Sequence, residues 1–387
     1  GGGAAGIIAA IFAKRKGEQV LRCEKMQKLG KKLLVTGAGR CNLSNEKLDA
    51  SFYQPKAEKT VRSVFEKCSK RDILDLFKGL GLEIYSEPDG RIFPVTNQAA
   101  SVLKVLEIEI ARLGIPVKLS CEVRGIRSVS DVFELRTNGE ERFSSPRVVL
   151  CGGGKSYPAL GADGGAYALA QSFGHTVLEP VPSTVPLVVK DPWCHFLQGQ
   201  KVRASVTSRI QNKSIRTIPG ELLFTQYGLS GTCILDISEE ISIAMNRDKI
   251  HKVSVIADLV PFLSEEALKE EFHRRFREKI PKEEWLEGLL PHKFSLALRE
   301  NLQKADIPAL VQILKHKEFK ITGTRGWNEA EFTSGGVPVN EIDPGTLESK
   351  FQRGLYLAGE VLDVGGRRGG YHLAWAWASG ALAGQAG

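Results

Sequence analysis

Three glycines at the start of the chain, Gly1, Gly3 and Gly6, have the G-x-G-x-x-G spacing of a dinucleotide-binding turn, and an apolar helix is predicted directly after them. In such a turn the first glycine permits the tight bend, the second admits a pyrophosphate to the backbone, and the third allows close packing of helix and strand. N–H groups at the start of the helix then face the phosphates. Since helix starts rich in glycine and alanine are common, the motif alone does not distinguish a cofactor site from a simple helix start.

A carboxylate at a suitable distance supports the cofactor site. Glu24 closes the next predicted strand (residues 19–24) eighteen residues after Gly6, near the roughly 20 residues that separate this motif from its acid. It would accept hydrogen bonds from ribose hydroxyls and repel a 2′-phosphate, whereas the alternative is a solvated acid at a strand end. Because the turn needs a strand before it, we expect roughly five to ten residues of strand to precede Gly1. The first residue is not Met, so a targeting segment before it stays open.

The segment from Lys25 to Asn45 is a second candidate binding loop, because it carries five cations and no acid. Its stretch TGAGRCN combines backbone N–H groups with Arg40 and Cys41, an arrangement that suits a pyrophosphate or a flavin ring. The alternative is an exposed basic loop. The pair Gly37 and Gly39 argues against that alternative, since glycine costs conformational order unless close approach requires it.

The elements predicted around these residues alternate between strand and helix. Apolar residues at positions 7, 8, 11 and 12 predict one buried helix face, and residues 97–113 predict another helix. Residues 121–143 predict a three-stranded meander in which Gly125 marks a bulge. A buried strand at 147–154 leads into a glycine-rich turn, and the chain closes with a strand at 354–364 and a helix at 371–386. This pattern predicts an α/β protein.

The middle of the chain differs in composition. The proline-bracketed stretch 180–187 is a plausible domain boundary, and short β-like runs follow it to about residue 260. Residues 264–317 are charged and helical, with Phe276 and Leu296 among the side chains expected to face inward. A strand at 319–324 then returns to the β region.

Composition narrows the class of protein. The chain has 387 residues, which favours two or three domains, and a formal net charge of +8 without a long block of like charge. Seven scattered cysteines without a C-x-x-C pair indicate neither a disulfide framework nor a zinc site and suggest a reducing cytoplasm. We expect no metal, no membrane span and no specific nucleic-acid partner, and the oligomeric state stays open.

Seven motifs in this order resemble one family: GGGAAG, CEK-x-x-KLGKK, TGAGRCNLSN, GKSYPALGADGGAYALAQSFGH, LLFTQYGLSG, TGTRGWNEAEFTSGGV and GLYLAGEVLDVGGRRGGYHLAWAWASG. Together they are similar to the BaiN/YhiN-like (aminoacetone-oxidase-like) bacterial FAD-dependent oxidoreductases over the whole chain. The resemblance implies a Rossmann-type FAD-binding domain in two pieces (1–183 and 335–387). A small β-barrel (184–261 and 318–334) is expected between them, and it should carry a helical subdomain (262–317).

The resemblance also implies a set of FAD contacts. Gly1, Gly3, Ala4, Ala5 and Gly6 would meet the pyrophosphate, Glu24 the adenosine ribose and Val123 the adenine. The loop residues expected to line the cofactor toward the ring are Lys25, Gly30, Lys32, Gly37, Gly39, Arg40, Cys41 and Asn42. Gly359 and Glu360 would face the pyrophosphate and ribityl chain, and the start of the last helix would face the flavin through Gly369, Gly370, Tyr371, His372 and Leu373. Gly152 opens GGGKSY, which resembles a second nucleotide turn but has Tyr157 in place of its third glycine.

One segment departs from the family pattern. The sequence before the last helix reads GGRRGGYH, whereas the family is closer to D-G-x-x-GGYN. Arg367 and Arg368 could bind an acidic substrate or raise the flavin potential, and the alternative is a pair of exposed arginines. His372 is our candidate general acid or base, since histidine titrates near neutral pH. Tyr371 and Arg40 complete the candidate catalytic set, and Cys41 is interpreted as a packing residue.

The leading hypothesis is an FAD-dependent oxidoreductase that passes hydride between a small organic substrate and the flavin, with NAD(P)H or dioxygen in the other half-reaction. We expect the substrate in the cleft between the FAD domain and the barrel, with Tyr227 and Arg325 as weaker candidates for its contacts. The alternative is an RNA-associated flavoprotein that uses the barrel and the basic surface, although the cations are dispersed and not interleaved with aromatics. A flavin-binding scaffold without turnover is the third reading.

Overall fold

A computed structural model describes residues 1–386 and divides them into two compact units. Unit 1 comprises residues 1–180 and 332–387, and unit 2 comprises residues 181–331. Each division lies three residues before the boundary predicted from the sequence. Each unit also has its own hydrophobic core.

Among residues 1–386, unit 1 contains six α-helices and eleven short strands, of which β17 and β18 follow the return of the chain from unit 2. Its helices are α1 (Ala4–Arg15), α2 (Pro55–Lys67), α3 (Lys70–Gly79), α4 (Ala99–Arg112), α5 (Gly165–Gln171) and α12 (Tyr371–Gln385). Its strands are β1 (Arg22–Cys23), β2 (Ser44–Asn45), β3 (Ile84–Ser86), β4 (Arg91–Pro94), β5 (Val117–Lys118), β6 (Val123–Val129), β7 (Val132–Thr137), β8 (Arg142–Ser145), β9 (Val148–Leu150), β17 (Phe332–Gly336) and β18 (Leu355–Leu357). Strand β10 (Leu178–Ser183) spans the first division between the units.

Two parallel strand pairs form the α/β part of unit 1. Strand β1 pairs with β5, and β9 pairs with β18. The strands predicted at residues 19–24 and 354–364 therefore each contribute to a parallel pair. The meander β6–β7–β8 is antiparallel, and its register shifts between Val123 and Gly125, so the bulge predicted from Gly125 is confirmed. The strand predicted over residues 19–24 is shorter than expected, because only Arg22 and Cys23 pair.

Helices α1 and α12 form the centre of the unit 1 core, and small residues allow their backbones to touch. A Cβ at Gly380 would overlap the carbonyl of Ala5, and one at Gly384 would overlap the carbonyl of Ala9. Ile7 is fully buried beside them. The helix that carries the cofactor turn is therefore locked to the C-terminal helix by close backbone packing.

Substitution of Gly380 should therefore be costly. We expect Gly380→Val to lower the free energy of unfolding by about 3 kcal/mol, because the new side chain meets backbone that cannot move aside. Ala376→Val, at a partly exposed position of the same helix, is the matched control and should cost much less. Urea denaturation followed by circular dichroism measures both, and equal losses in the two variants would contradict this account of the packing.

Unit 2 is a closed barrel with helices around it. The strand order is β11–β14–β13–β12–β15–β16, formed by β11 (Leu187–Val189), β12 (Lys201–Ile210), β13 (Lys213–Thr225), β14 (Gly228–Ser230), β15 (Val253–Asp258) and β16 (Lys317–Thr324). The helices are α6 (Pro192–Phe196), α7 (Thr232–Ser242), α8 (Glu265–Arg277), α9 (Lys293–Ala297), α10 (Arg299–Lys304) and α11 (Ile307–Lys315). The predicted returning strand is confirmed as β16, whereas the inward positions predicted for Phe276 and Leu296 are wrong, since both are more than half exposed.

Candidate cofactor and active site

The three motif glycines of the first turn have distinct surroundings. A Cβ at Gly1 would overlap the carbonyl of Cys151, and a Cβ at Gly6 would overlap the carbonyl of Gly1. A Cβ at Gly3, by contrast, would meet nothing within 4 Å. Packing therefore requires two of the glycines, while Gly3 borders open space at the start of α1, where a pyrophosphate can approach.

Glu24 is held beside this turn by backbone hydrogen bonds. Its carboxylate accepts from the N–H groups of Gly2 and Met26, the latter at 2.7 Å, and its side chain is buried. The N–H of Gly30 donates to the Gly2 carbonyl at 2.8 Å, which ties the second loop to the first turn. A carboxylate has about four acceptor positions, so about two remain for the paired hydroxyls of a ribose.

The other residues predicted near the pyrophosphate and adenosine lie around this turn. Ala4 and Ala5 begin α1, and Lys25 forms an ion pair with Asp163 at 2.6 Å. Val123 begins β6, and a Cβ at Gly152 would overlap the Cβ of Ala166. The amide of Gly359 donates to Ser379 Oγ at 3.0 Å, which joins the turn after β18 to α12.

A cavity of about 720 Å³ begins at the same turn and follows α1. One part is lined by predicted cofactor contacts, among them Gly1, Glu24 and Gly152. Its remainder is lined by Ala9 and Ala13 of α1 and by strands β1 and β9. Among residues 1–386, β1 and β9 each pair with a neighbouring strand on one side only. Only the first part therefore coincides with the predicted dinucleotide site.

A compact polar network joins the second loop to the turn after β18. Lys32 Nζ lies 2.6 Å from Glu360 Oε2 and 2.5 Å from Ser156 Oγ, and Ser156 Oγ donates to Glu360 Oε1 at 3.0 Å. The amide of Thr333 also donates to Glu360, at 3.0 Å, and Thr333 Oγ1 accepts from the amides of Lys155 and Ser156. Two predicted cofactor contacts, Lys32 and Glu360, are thus in direct contact.

The loop TGAGRCN is tightly folded. Gly37 and Gly39 have φ angles of 57° and 85°, so the left-handed backbone explains both glycines. Cys41 is fully buried, and burial raises the pKa of its thiol to about 12, which makes the thiol unreactive and agrees with a packing role. Arg40 pairs with Glu87 at 2.8 Å and lies 4.0 Å above the centre of the Phe93 ring.

This loop holds the glycine turn before α12. With its amide oriented to satisfy both groups, Asn42 accepts from the Gly370 N–H at 3.0 Å and donates to the Ser44 carbonyl. Asn45 Nδ2 donates to the Gly369 carbonyl at 2.9 Å. A Cβ at Gly370 would overlap the Ser44 carbonyl, so the approach requires glycine. The structure therefore brings together the two motifs, GRCN and GGYH, that were assigned to the flavin end of the cofactor.

His372 lies in the first turn of α12, and its ring stacks on Phe332 with 3.8 Å between centres. Its Nε2 accepts from the Gly366 N–H at 3.3 Å, so the neutral ring carries its proton on Nδ1. Burial lowers the pKa of His372 to about 4; the charge of Glu360 opposes this shift, and Lys32 and Arg368 add to it. Desolvation thus favours the uncharged imidazole at neutral pH, and the role of His372 as general acid or base stays a prediction.

The low pKa of His372 makes a prediction for stability. Above pH 6.5 the ring is neutral in both the folded and the unfolded chain, and between pH 6.5 and 4 only the unfolded chain gains the proton. Acidification from pH 7 to pH 4 should therefore destabilise the wild type more than His372→Asn, by about 3 kcal/mol. Urea unfolding at the two pH values measures this difference, and identical losses in both proteins would contradict it.

The remaining predicted residues have packing contacts. Tyr371 is buried, stacks on Phe52 with 5.0 Å between ring centres, and donates its hydroxyl to the Lys47 carbonyl at 3.4 Å. Leu373 follows in the first turn of α12. In unit 2, Arg325 lies 4.5 Å above the Tyr227 ring and pairs with Glu329.

Sequence reasoning missed three buried polar side chains of the site. Ser156 and Thr333 belong to the network around Glu360, and the signal for Ser156 was its place in the glycine-rich turn GGGKSY. Arg22 is buried, its Nη2 donates to the Gly1 carbonyl at 3.4 Å, and burial lowers the pKa of its guanidinium to about 10. The predicted strand at residues 19–24 contains no signal that would mark Arg22 as a buried side chain in advance.

Over residues 1–386 no group of three or more His, Cys, Asp or Glu side chains could hold a metal ion, and the seven cysteines are free thiols. None of the helices in this range is long and apolar enough to cross a membrane.

Comparison with known families places this arrangement. The family model described as "HI0933-like protein Rossmann domain" matches residues 1–386, which is nearly the whole chain. The chain belongs to the HI0933-like Rossmann-domain family. Its fold is thus a Rossmann-type α/β domain in two sequence pieces with a closed six-stranded barrel between them.

Two kinds of named protein are among those similar to this HI0933-like chain. A "3-dehydro-bile acid delta(4,6)-reductase" from Clostridium scindens is 38% identical over 100% of this chain and 97% of its own length. A "Ribosomal RNA dihydrouridine synthase" from Haemophilus influenzae is 30% identical over 98% of this chain and 95% of its own. The solved 3-ketosteroid-delta4-(5alpha)-dehydrogenase from Rhodococcus jostii shares the fold, with a TM-score of 0.51, 15% identity, and coverage of 100% of this chain and 95% of that one.

Proposed function

We propose that this protein is an FAD-dependent reductase that adds two hydrogens to a carbon–carbon double bond conjugated with a carbonyl group of a small molecule. The observation that carries the proposal is the full-length similarity to a reductase named for 3-dehydro, Δ4,6 bile acids. In chemical nomenclature these words describe a ketone in conjugation with two double bonds. Dihydrouridine is likewise uridine in which a double bond conjugated with a ring carbonyl has been reduced, so both groups of relatives carry names for one type of chemistry.

The residues of unit 1 fit FAD. Gly3 leaves open space for a pyrophosphate at the start of α1, and Glu24 has acceptor positions left for a ribose. Lys32 and Glu360 would face the rest of the cofactor, with the start of α12 at the flavin end. When bound, FAD can accept hydride from a nicotinamide and deliver it to one carbon of the double bond. With NAD(P)H as the donor the overall reaction balances, since one NAD(P)H and one proton saturate one double bond.

The site's own residues supply orientation and charge. Since burial favours the neutral form of His372 and its Nε2 accepts from Gly366, we propose that its Nδ1–H donates a hydrogen bond to the substrate carbonyl or the cofactor. The N-terminal end of α12 adds a positive field that favours electron density in the reduced state. Arg40, paired with Glu87 and stacked on Phe93, would position the loop beside the cofactor.

A second candidate function is reduction of uridine in ribosomal RNA, favoured by the 30% identical relatives from Haemophilus influenzae and Escherichia coli. Cations on the barrel hairpin β12–β13 would serve it, among them Arg209 and Lys213. Arg209, however, lies 3.6 Å from Glu318, and Arg216 lies 3.5 Å from Glu240, which reduces the positive charge of that hairpin. The small-molecule function therefore has more support.

Parallel assays distinguish the two functions. The purified protein is incubated without oxygen with NADH or NADPH and either a 3-oxo-4,6-diene bile acid or unmodified ribosomal RNA. We expect the bile acid to gain two hydrogens by mass spectrometry. Dihydrouridine in the RNA and no change in the steroid would favour the second candidate, whereas no reduction of either would contradict both.

A further inference from the structure

The turn 365–370 lies among cations that have acidic partners. Lys32 pairs with Glu360 at 2.6 Å, and Lys56 pairs with Asp363. Arg40 and Arg91 share Glu87, at 2.8 and 2.7 Å. These pairs largely cancel each other's charge, as expected for groups that stabilise the fold.

Arg367 differs from these cations. Within residues 1–386 its guanidinium has no carboxylate within ion-pair distance, and its side chain is exposed. Its guanidinium lies over the Phe52 ring, with 4.9 Å between Cζ and the ring centre. A guanidinium on an aromatic face keeps its edge N–H groups available, and those groups match a carboxylate in bidentate geometry.

The backbone around Arg367 is rigid. Its N–H donates to the Phe52 carbonyl at 3.0 Å, and the Gln54 N–H donates to the Gly365 carbonyl at 2.9 Å. Between these bonds Gly366 forms a β-bridge with Tyr53. The Phe52 ring under the guanidinium is itself stacked on Tyr371. The backbone of Arg367 and the ring under its guanidinium are therefore both held in place before an anion binds.

The residue before Arg367 contacts the candidate catalytic group. His372 Nε2 accepts its hydrogen bond from Gly366, the residue directly before Arg367. An anion on Arg367 would thus be anchored one residue from the peptide that orients the imidazole.

We propose that Arg367 is a specificity residue that binds a carboxylate of the substrate, so that the substrates are carboxylic acids carrying the conjugated ketone. This inference rests on the proposed function and names its substrate class. The carboxylate would be bound at Arg367 while a carbonyl elsewhere in the same molecule is within reach of His372.

The test compares a 3-oxo-4,6-diene bile acid with its methyl ester, which differs only in charge at the carboxyl group. Dissociation constants come from the change in the flavin visible spectrum on titration. We expect the wild type to bind the acid about tenfold more tightly than the ester, and this ratio should decrease with added salt. In Arg367→Ala the ratio should fall to about one, and Arg367→Lys should lie between.

Arg71→Ala is the matched control, because it removes one exposed positive charge from α3 and should keep the wild-type ratio. Equal affinities for acid and ester in the wild type, an unchanged ratio in Arg367→Ala, or no spectral response to the acid would overturn the carboxylate site. Each of these results can be obtained with FAD fully bound and reducible, which would leave the flavoprotein function intact. A protein that takes up no FAD would instead contradict the proposed function.

Discussion

Gly3→Val should fold like the wild type and yet purify without FAD. A Cβ at this position meets no protein atom within 4 Å, and the φ of −84° suits any residue. The same open space is where the pyrophosphate would meet the backbone N–H groups. We therefore expect a loss in FAD affinity of about 100-fold or more, about 3 kcal/mol, with an unchanged unfolding transition of the apoprotein.

Two further variants make this result specific. Gly79→Val also adds a side chain in open space, at the end of α3, and should keep FAD fully bound. Gly6→Val should instead destabilise the fold, because its Cβ would overlap the Gly1 carbonyl. Absorbance of the purified proteins and isothermal titration with FAD measure cofactor binding. Full FAD occupancy in Gly3→Val would contradict the placement of the pyrophosphate.

Glu360→Gln should have the second large effect. The carboxylate balances the charge of Lys32 and also accepts from Ser156 Oγ and the Thr333 amide. Both side chains of the ion pair are mostly buried, so a neutral amide at position 360 leaves the ammonium of Lys32 poorly compensated. We expect a loss of about 2 kcal/mol in the free energy of unfolding of the apoprotein.

A double-mutant cycle separates the ion pair from the rest of the network. Lys32→Met should also destabilise the protein, whereas the double variant should recover part of the loss, since no unpaired charge remains. Urea unfolding of the four proteins gives the coupling energy. Additive losses would show that Lys32 and Glu360 act independently, against the contact at 2.6 Å.

The sequence allowed most of the framework to be predicted, because local patterns determine it. The bulge at Gly125 and the strand β16 follow from short-range constraints that the structure confirms, and a Cβ at Gly1 or Gly6 would overlap neighbouring backbone. The spacing from the glycine motif alone predicted that Glu24 lies beside the turn. In the structure its carboxylate accepts a hydrogen bond from the Gly2 amide. The FAD contacts themselves stay predictions until binding is measured.

Other features depend on contacts between residues that are distant in the sequence, so local sequence patterns do not predict them. The pKa of His372 depends on its burial and on charges from Glu360 and Lys32, which are far apart in sequence. The exposure of Phe276 shows the same limit, since helical periodicity marks an apolar face but not where that face ends; its ring lies at the edge of Trp285. The uncompensated charge of Arg367 also became visible only when its neighbours were known.

A single-turnover experiment tests the central claim most directly. The purified protein is reduced with one equivalent of dithionite, kept under anaerobic conditions, and mixed with a 3-oxo-4,6-diene bile acid in the absence of any nicotinamide. The account predicts that the absorbance of oxidised flavin returns as one product molecule with two added hydrogens forms per bound FAD. A flavin that stays reduced while the steroid remains unchanged, or a protein that holds no flavin at all, would contradict it.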